Sequence, residues 1–254
     1  MEVQRSQTGF SFERVDAADY DDLRPGYAPV AVAWALQRGG LTDTSLVADV
    51  AAGTGQLSRI LVERVRCLAV EPAANMRELL QRRVPGVDVV AAKAESLPFW
   101  DGALDGVFVG NAFHHFDAGR AFTELRRVLR RGGVLALFWA RAAANAFDDP
   151  VVKRINDETA RRRERSQIGN AYRSWYAVPG TVDGFTPFER RRFPTSHVIP
   201  SNRYVDLHRT SSDIVAMSER EREELLDIVS RLAKNLPETL HLPAESEVDV
   251  CVRR

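Results

Sequence analysis

The chain has 254 residues, of which 44% are hydrophobic and 28% charged, which is ordinary for a soluble globular protein. Its 35 basic and 35 acidic residues cancel, and nucleic-acid binders usually carry a basic excess, so the composition argues against a nucleic-acid partner. Two cysteines are too few for a disulfide framework or a zinc site, and no export signal or apolar run of bilayer length is apparent, so we expect a cytoplasmic protein without a membrane partner.

Residues 1–45 precede the first predicted strand. Pro29 suits the first position of a helix, and residues 29–36 are predicted to be helical, with the glycine pair 39–40 ending the helix. A segment with two tyrosines, residues 19–27, comes before this helix. The sequence predicts an N-terminal cap from these parts.

Residues 46–50 are a predicted buried strand that runs into a tight turn with glycines at 53 and 55. Residues 56–65 are predicted to be helical, because apolar residues at 57, 60, 61 and 65 share one face. A dinucleotide fingerprint would place its third glycine where Ser58 stands, so that match is incomplete. Asp49 at the end of the strand would repel a pyrophosphate but suits a cationic ligand.

The pattern of strands and helices continues to residue 139, which implies a parallel sheet with helices on both faces. Predicted strands cover 67–71, 87–91, 104–110 and 134–139, and predicted helices cover 74–84 and 117–129, with a stop at 130–133. Ligands of such sheets bind beyond the carboxyl ends of the strands. The loop at 111–117, which follows the fourth strand, is therefore expected to face the ligand.

Residues 142–187 change character. The charged run 161–165 is most simply a solvated helix face, and the aromatic residues between strands five and six suggest either a lid over an apolar pocket or a small separate core. These aromatic residues are Tyr172, Trp175, Tyr176 and Phe185. Further predicted elements are a strand at 188–199, helices at 204–209 and 219–236, and a final strand at 248–252.

These motifs resemble those of class I S-adenosylmethionine (SAM)-dependent methyltransferases, in particular small-molecule enzymes with a type 11-like domain. The first motif of that family, D-x-G-x-G-x-G, matches at Asp49, Ala51, Gly53 and Gly55, with Ala51 in place of the first glycine. The resemblance covers about residues 15–142. It implies a Rossmann-like sheet of seven mostly parallel strands with an antiparallel last strand, SAM as the cofactor, and one domain over 1–254. Within that domain we expect a cap at 1–45, a SAM-binding core at 46–142, a substrate lid at 143–187 and the rest of the sheet at 188–254.

The resemblance also implies roles for individual residues. Glu71, 20 residues beyond Ala51, would accept hydrogen bonds from the ribose hydroxyls. Met76 would pack on the adenine, although it could be an ordinary core methionine. Glu95 would contact the adenine edge, unless it is simply solvated. Tyr20 would cover the cofactor, unless it only belongs to a capping helix. The full set of expected cofactor contacts is Tyr20, Asp49, Ala51, Gly53, Gly55, Gln56, Glu71, Pro72, Met76, Ala94, Glu95, Asn111 and Ala112.

The expected chemistry is transfer of a methyl group to a small, partly apolar metabolite through an oxygen, nitrogen or carbon acceptor. His114 and His115 are the candidate general bases, although either could instead shape the cofactor pocket, and a carboxylate acceptor needs no base. We expect no metal. Two alternatives stay open at this point: a SAM-binding protein that catalyses a non-methylating reaction such as cyclisation, and an NAD-dependent enzyme, which Ser58 and Asp49 disfavour. The sequence leaves the substrate and the oligomeric state open.

Overall fold

The computed structural model describes residues 16–142, 149–165, 180–215 and 217–254. These residues fall into two compact units. The larger unit holds the described residues of Pro25–Ala144, Trp175–His197 and Pro243–Arg254, and the smaller unit holds those of Met1–Arg24, Asn145–Ser174 and Val198–Leu242. The predicted division at 45, 142 and 187 stays a prediction. Three of the predicted lid aromatics, Tyr172, Trp175 and Tyr176, lie outside the described residues.

Seven strands within the described residues form one sheet, and this confirms the predicted fold class. In chain order they are β1 Leu46–Val50, β2 Arg66–Val70, β3 Asp88–Val90, β4 Leu104–Gly110, β5 Leu129–Ala142, β6 Glu189–Pro200 and β7 Thr239–Val252. The order across the sheet is β3-β2-β1-β4-β5-β7-β6. The pairs among β1 to β5 are parallel, whereas β7 runs antiparallel to β5. Because β2 and β4 flank β1 on opposite sides, the strand order reverses between β1 and β4, which is where open α/β sheets bind ligands.

Nine helices accompany the strands in the described part of the chain. They are α1 Ala17–Leu23, α2 Pro29–Arg38, α3 Ser58–Leu61, α4 Ala74–Arg83, α5 Ala118–Val128, α6 Pro150–Arg165, α7 Tyr204–Arg209, α8 Ser212–Val215 and α9 Glu219–Ala233, with short 3-10 helices at Phe113–His115 and Ser201–Arg203. The start of α5 follows the sequence prediction, because the side chain of Asp117 accepts a hydrogen bond from the Arg120 N–H. None of these helices is long and apolar enough to cross a bilayer.

The predicted helix at 56–65 is wrong in length, because regular α-helix is confined to α3. Beyond Leu61 the hydrogen bonding changes: the Arg64 N–H bonds the Leu61 carbonyl three residues back, and the chain then turns into β2. The predicted apolar face is nevertheless buried in this shorter form. Its buried members are Leu57, Leu61 and Val65.

β5 is longer than the predicted strand at 134–139. Leu129 already pairs with Leu104, and a register shift follows before Gly106 pairs with Val134. Gly132 makes the shift possible, since its φ of +74° lies in the left-handed region that glycine adopts without strain. The glycine pair that was expected to separate helix from strand is thus a bulge within β5.

The larger unit has a core on each face of the sheet, and alternate residues of β5 belong to different cores. Leu135, Leu137 and Trp139 pack with the inner face of α5, whereas Ala136 and Phe138 pack with α2. This alternation places Trp139, near the carboxyl end of β5, on the same side of the sheet as α5. The smaller unit has a separate core that includes Ile155, Tyr204 and Leu225.

Candidate active site

The turn after β1 leaves its backbone open. Ala51 has a φ of +58° and Gly53 a φ of +57°, and a Cβ added at Gly53 would meet no atom within 4 Å. Gly55 is different, although it also has a positive φ, of +87°. An added Cβ there would lie 2.8 Å from Val84 Cγ2 and 3.0 Å from Leu80 Cγ. Gly55 therefore packs against α4 and the segment after it, and Gly53 is the glycine whose backbone a ligand can approach.

Asp49 at the end of β1 is fully buried. Its Oδ2 accepts a 2.6 Å hydrogen bond from the Ser58 hydroxyl, while Oδ1 accepts none from any described residue. Burial, together with the nearby charge of Glu71, raises the pKa of Asp49 to about 7, against the lowering effect of the Ser58 bond. The carboxyl group is thus poised to ionise when a cationic group comes near. Ser58, which occupies the position of the third glycine of a dinucleotide fingerprint, holds this acid in place.

Glu71 follows β2 and connects the turn to α4. Its Oε2 accepts a 2.8 Å hydrogen bond from the Gly53 N–H, and Oε1 accepts one of 2.8 Å from the Ala73 N–H. Burial raises the pKa of Glu71, and these two bonds partly offset the effect. The sequence did not identify Arg77, whose guanidinium donates to the Glu71 carbonyl at 2.9 Å. An arginine in the first turns of a helix gives only a weak signal for such a role.

The expected adenine contacts lie on neighbouring segments. Met76 and Ala94 are almost fully buried, with 1% and 4% of their surface exposed. Glu95 is not simply solvated, because its Oε1 accepts a 2.8 Å hydrogen bond from the Asp117 N–H and so connects the loop after β3 to the start of α5. The adenine roles of these three residues stay predictions.

Asn111 joins the carboxyl ends of β4 and β5. Its N–H donates to the Phe138 carbonyl at 2.8 Å, its Oδ1 accepts from the Ala140 N–H at 2.9 Å, and its φ of +50° is one that asparagine tolerates. Tyr27 lies over the same end of β4, since a side chain at Gly110 would overlap the tyrosine hydroxyl and ring. Tyr20 was the tyrosine of the N-terminal segment expected at the site, whereas the tyrosine at the end of β4 is Tyr27.

Three rings form a group at the carboxyl ends of β4 and β5. The 3-10 helix at Phe113–His115 places the His114 and His115 ring centroids 3.9 Å apart, and His114 lies 5.8 Å from Trp139. Protein atoms around His115 desolvate its imidazole and lower its pKa to about 4, although the residue is exposed. With its pKa lowered in this way, His115 is neutral at pH 7. The sequence did not identify Trp139, which ends an apolar run typical of any buried strand.

The remaining predicted contacts are placed as follows. Gln56 is half-buried in the turn before α3, Pro72 is exposed after β2, and Ala112 is buried between Asn111 and the 3-10 helix. Tyr20 lies in α1 of the smaller unit, where the Arg24 guanidinium carbon is 5.6 Å from its ring centroid. The cofactor contacts of all these residues stay predictions.

The residues of the turn suit SAM. The open backbone at Gly53 permits close approach, Glu71 supplies a carboxylate for paired hydroxyls, and the buried Oδ1 of Asp49 offers a charge to a cationic group. All three stand at the carboxyl ends of β1 and β2, beside the point where the strand order reverses.

Two sequence comparisons give methyltransferases as similar proteins. A family model described as a methyltransferase domain matches residues 48–137. An uncharacterised methyltransferase of Mycobacterium tuberculosis is 30% identical over 261 aligned positions, which cover 100% of this chain and 98% of that protein.

Two solved structures share the fold. A candidate type II methyltransferase from Anaeromyxobacter dehalogenans superposes with a TM-score of 0.63 at 23% identity, covering 91% of this chain and 97% of that one. A phosphoethanolamine N-methyltransferase of Haemonchus contortus, solved with S-adenosylhomocysteine, superposes with a TM-score of 0.51 at 13% identity, covering 93% of this chain and 56% of that one.

Proposed function

The chain belongs to the class I SAM-dependent methyltransferases, and on this premise we propose that it methylates a small, partly apolar metabolite. The observation that supports this substrate class is the ring group at the ends of β4 and β5, which consists of His114, His115 and Trp139. Trp139 is buried, with 1% of its surface exposed, so a substrate would pack on the more accessible histidine rings of this group. The balanced charge of the chain gives no basic excess for a nucleic acid.

SAM, when bound, supplies a methyl group already activated on a sulfonium, so the cofactor carries the difficult chemistry. The turn residues would hold SAM. Glu71 would accept hydrogen bonds from the ribose hydroxyls, and the open backbone at Gly53 would lie against the methionine part. Asp49 would balance the positive charge of the cofactor. Alignment of this kind is worth roughly 7–11 kcal/mol at best in oriented reactions.

The second task of the protein is to manage the proton of the acceptor. A neutral His115 can take a proton from a hydroxyl, amine or carbon acid, and His114, packed between His115 and Trp139, would orient it. With a carboxylate acceptor neither imidazole is required as a base. The acceptor atom and a cytoplasmic location stay predictions from the sequence.

The test is a screen with methyl-tritiated SAM over a library of small metabolites, with DNA and an unrelated protein as further acceptors. We expect label in a small molecule and an equal amount of S-adenosylhomocysteine. Label in DNA or protein alone would contradict the proposed substrate class. Consumption of SAM with no methylated product would favour the cyclisation alternative.

A further inference from the structure

Arg141 lies in the part of β5 that continues past the carboxyl end of β4, at the end of the sheet where the cofactor turn lies. Phe138 pairs with Gly110, the last residue of β4, so Arg141 stands three residues further along, roughly 10 Å at the usual rise of a strand. It follows Ala140, whose N–H is held by Asn111. Arg141 is therefore the next charged side chain along β5 after the ring group.

The guanidinium of Arg141 lies over one ring of this group. Its central carbon is 5.7 Å from the Trp139 ring centroid, and the His114 ring centroid is 5.8 Å from the same indole. About a third of the Arg141 side chain, 33%, is exposed, whereas Trp139 is 1% exposed. A positive charge thus reaches water over a buried indole at the ends of β4 and β5.

Arg141 has a carboxylate partner on β7, but the contact is long. Its Nη2 lies 3.3 Å from Glu247 Oε1, whereas the Arg192 Nε lies 2.7 Å from Glu247 Oε2. Charge-assisted bonds of good geometry measure about 2.7–2.9 Å. Glu247 is 1% exposed, so it needs compensation of its charge, and Arg192 provides it at the shorter distance.

A second arginine on β6 adds to this compensation. Arg190 donates two bonds of 2.7 and 3.0 Å to Asp249 and also places its Nη1 3.5 Å from Glu247. Arg190 is thus fixed by two bonds, and Glu247 would keep two guanidinium neighbours if Arg141 turned away. Of the three arginines near Glu247, Arg141 is therefore the one whose departure takes the least compensating charge from a buried carboxylate.

We propose that Arg141 exchanges Glu247 for a carboxylate of the substrate, so that the metabolite methylated here is a small carboxylic acid whose apolar body packs on the His114 and His115 rings. This inference rests on the proposed function and names its substrate class. The planar fork of arginine matches a carboxylate with two parallel hydrogen bonds, and the group it replaces is itself a carboxylate.

The first experiment observes Arg141 directly. In protein saturated with S-adenosylhomocysteine, the Nε–Hε resonance of Arg141 is assigned by its loss in Arg141→Lys, and benzoate, hexanoate and phenylacetate are titrated against their primary amides. We expect the acids, and not the amides, to shift this resonance in a saturable manner. An equal response to the amides, a response to phenyl phosphate alone, or no response to any acid would overturn the inference.

Three variants separate recognition from structure. Arg141→Gln is expected to weaken benzoate binding at least about tenfold, the loss of one charge-assisted bond, while the matched control Arg190→Gln, which leaves Arg192 beside Glu247, is expected to weaken it far less. Glu247→Gln removes the competing carboxylate and is expected to tighten benzoate binding. Equal weakening in the two arginine variants would assign Arg141 a structural role only. S-adenosylhomocysteine binding, measured on the same samples, separates the two claims, because its absence would contradict the proposed function itself.

Discussion

Two regions of the site differ in how far apart in sequence their interacting residues are. One region lies at the ends of β1 and β2, and the other lies at the ends of β4 and β5. In the first region, Asp49 and Ser58 are nine residues apart and Gly53 and Glu71 are 18 apart. In the second, Arg141 meets Glu247 across 106 residues of sequence. A short stretch of chain therefore specifies the proposed cofactor half of the site, whereas the proposed substrate half requires strands from distant parts of the chain to pair first.

The two halves also differ in what holds their polar groups. Glu71 receives backbone N–H groups at 2.8 Å on both oxygens, which leaves it little freedom. Arg141 lies against a side-chain partner at 3.3 Å and a ring. A fixed cofactor half and an adjustable substrate half would let related chains keep one cofactor while changing acceptors. Substitutions are therefore expected to change SAM affinity in the first half and turnover in the second.

The largest effect is expected in the substrate half. If His115 is the general base, His115→Gln lowers turnover about 10²–10⁴-fold and leaves SAM affinity intact. Because desolvation lowers the pKa of His115 to about 4, the ascending limb of the pH–rate profile lies near pH 4, and turnover is flat between pH 6 and 8. Turnover, SAM affinity and pH profile are measured together, with His114→Gln for comparison. Full turnover of the His115 variant would remove it from the catalytic residues and favour an acceptor that is already ionised, such as a carboxylate.

In the cofactor half, Asp49→Asn tests the buried charge. The pKa of this acid is raised from 3.8 to about 7 on folding, so between those values the native state binds more protons than the unfolded chain, and wild-type stability falls as pH rises through this window. The variant lacks this dependence. We expect it to be more stable than wild type at pH 8 by up to about 4 kcal/mol, with the difference fading near pH 4, while SAM affinity drops. Urea unfolding at both pH values measures this, and a difference that did not change with pH would contradict it.

Glu71 is expected to matter for the cofactor and not for the acceptor. Glu71→Ala removes the proposed partner of the ribose hydroxyls, and one lost charge-assisted bond costs about 1.5–3 kcal/mol, which is at least tenfold in SAM affinity. Glu71→Gln keeps one acceptor oxygen, so its SAM affinity is expected to lie between those of Glu71→Ala and the wild type. Calorimetry on folded protein decides, and an unchanged SAM affinity in Glu71→Ala would remove the ribose assignment.

The two glycines of the turn are expected to respond in different ways. Gly53→Ala finds open space, so it costs about 1 kcal/mol of stability for its positive φ but blocks the approach of SAM. Gly55→Ala pushes into Leu80 and Val84, so we expect a loss of about 1–3 kcal/mol from overpacking and a smaller direct effect on SAM. Thermal unfolding and SAM titration of both variants test the pair. The opposite ranking of affinities would mean that Gly55, as expected from the sequence, faces the cofactor.

Most of the cofactor half could be predicted from the sequence, because the strand, the turn and Glu71 follow one another within a few tens of residues. The packing around Gly55 could not be predicted, because its contact with Leu80 and Val84 depends on how α4 packs. The length of α3 was missed because apolar spacing gives the buried face but not the hydrogen-bond pattern. In the substrate half the histidines were found by residue type.

The sequence around Arg141 does not indicate that Glu247 is its partner. A strand residue 106 positions away becomes its neighbour only through the antiparallel pairing of β5 with β7. Tyr27 was missed for a similar reason, because its place over Gly110 depends on how the segment before α2 meets β4. Long-range pairing, and not weak local propensity, limits the prediction of this half of the site.

The smallest expected effect is at Ala51, where the cofactor half departs from the family motif. Its φ of +58° costs a residue with a Cβ about 1–2 kcal/mol, and glycine would remove that strain. Against this, glycine loses about 0.5–1 kcal/mol more on ordering, and the methyl group of Ala51 packs on the core beneath the turn. These contributions nearly cancel, so Ala51→Gly is expected to change stability by less than about 1 kcal/mol and to leave SAM affinity as it is. Chemical denaturation and SAM titration measure both quantities. A clear loss of stability would show that the methyl contact outweighs the backbone strain, and a loss of SAM affinity would show that the alanine, and not the two glycines alone, sets the shape of the turn.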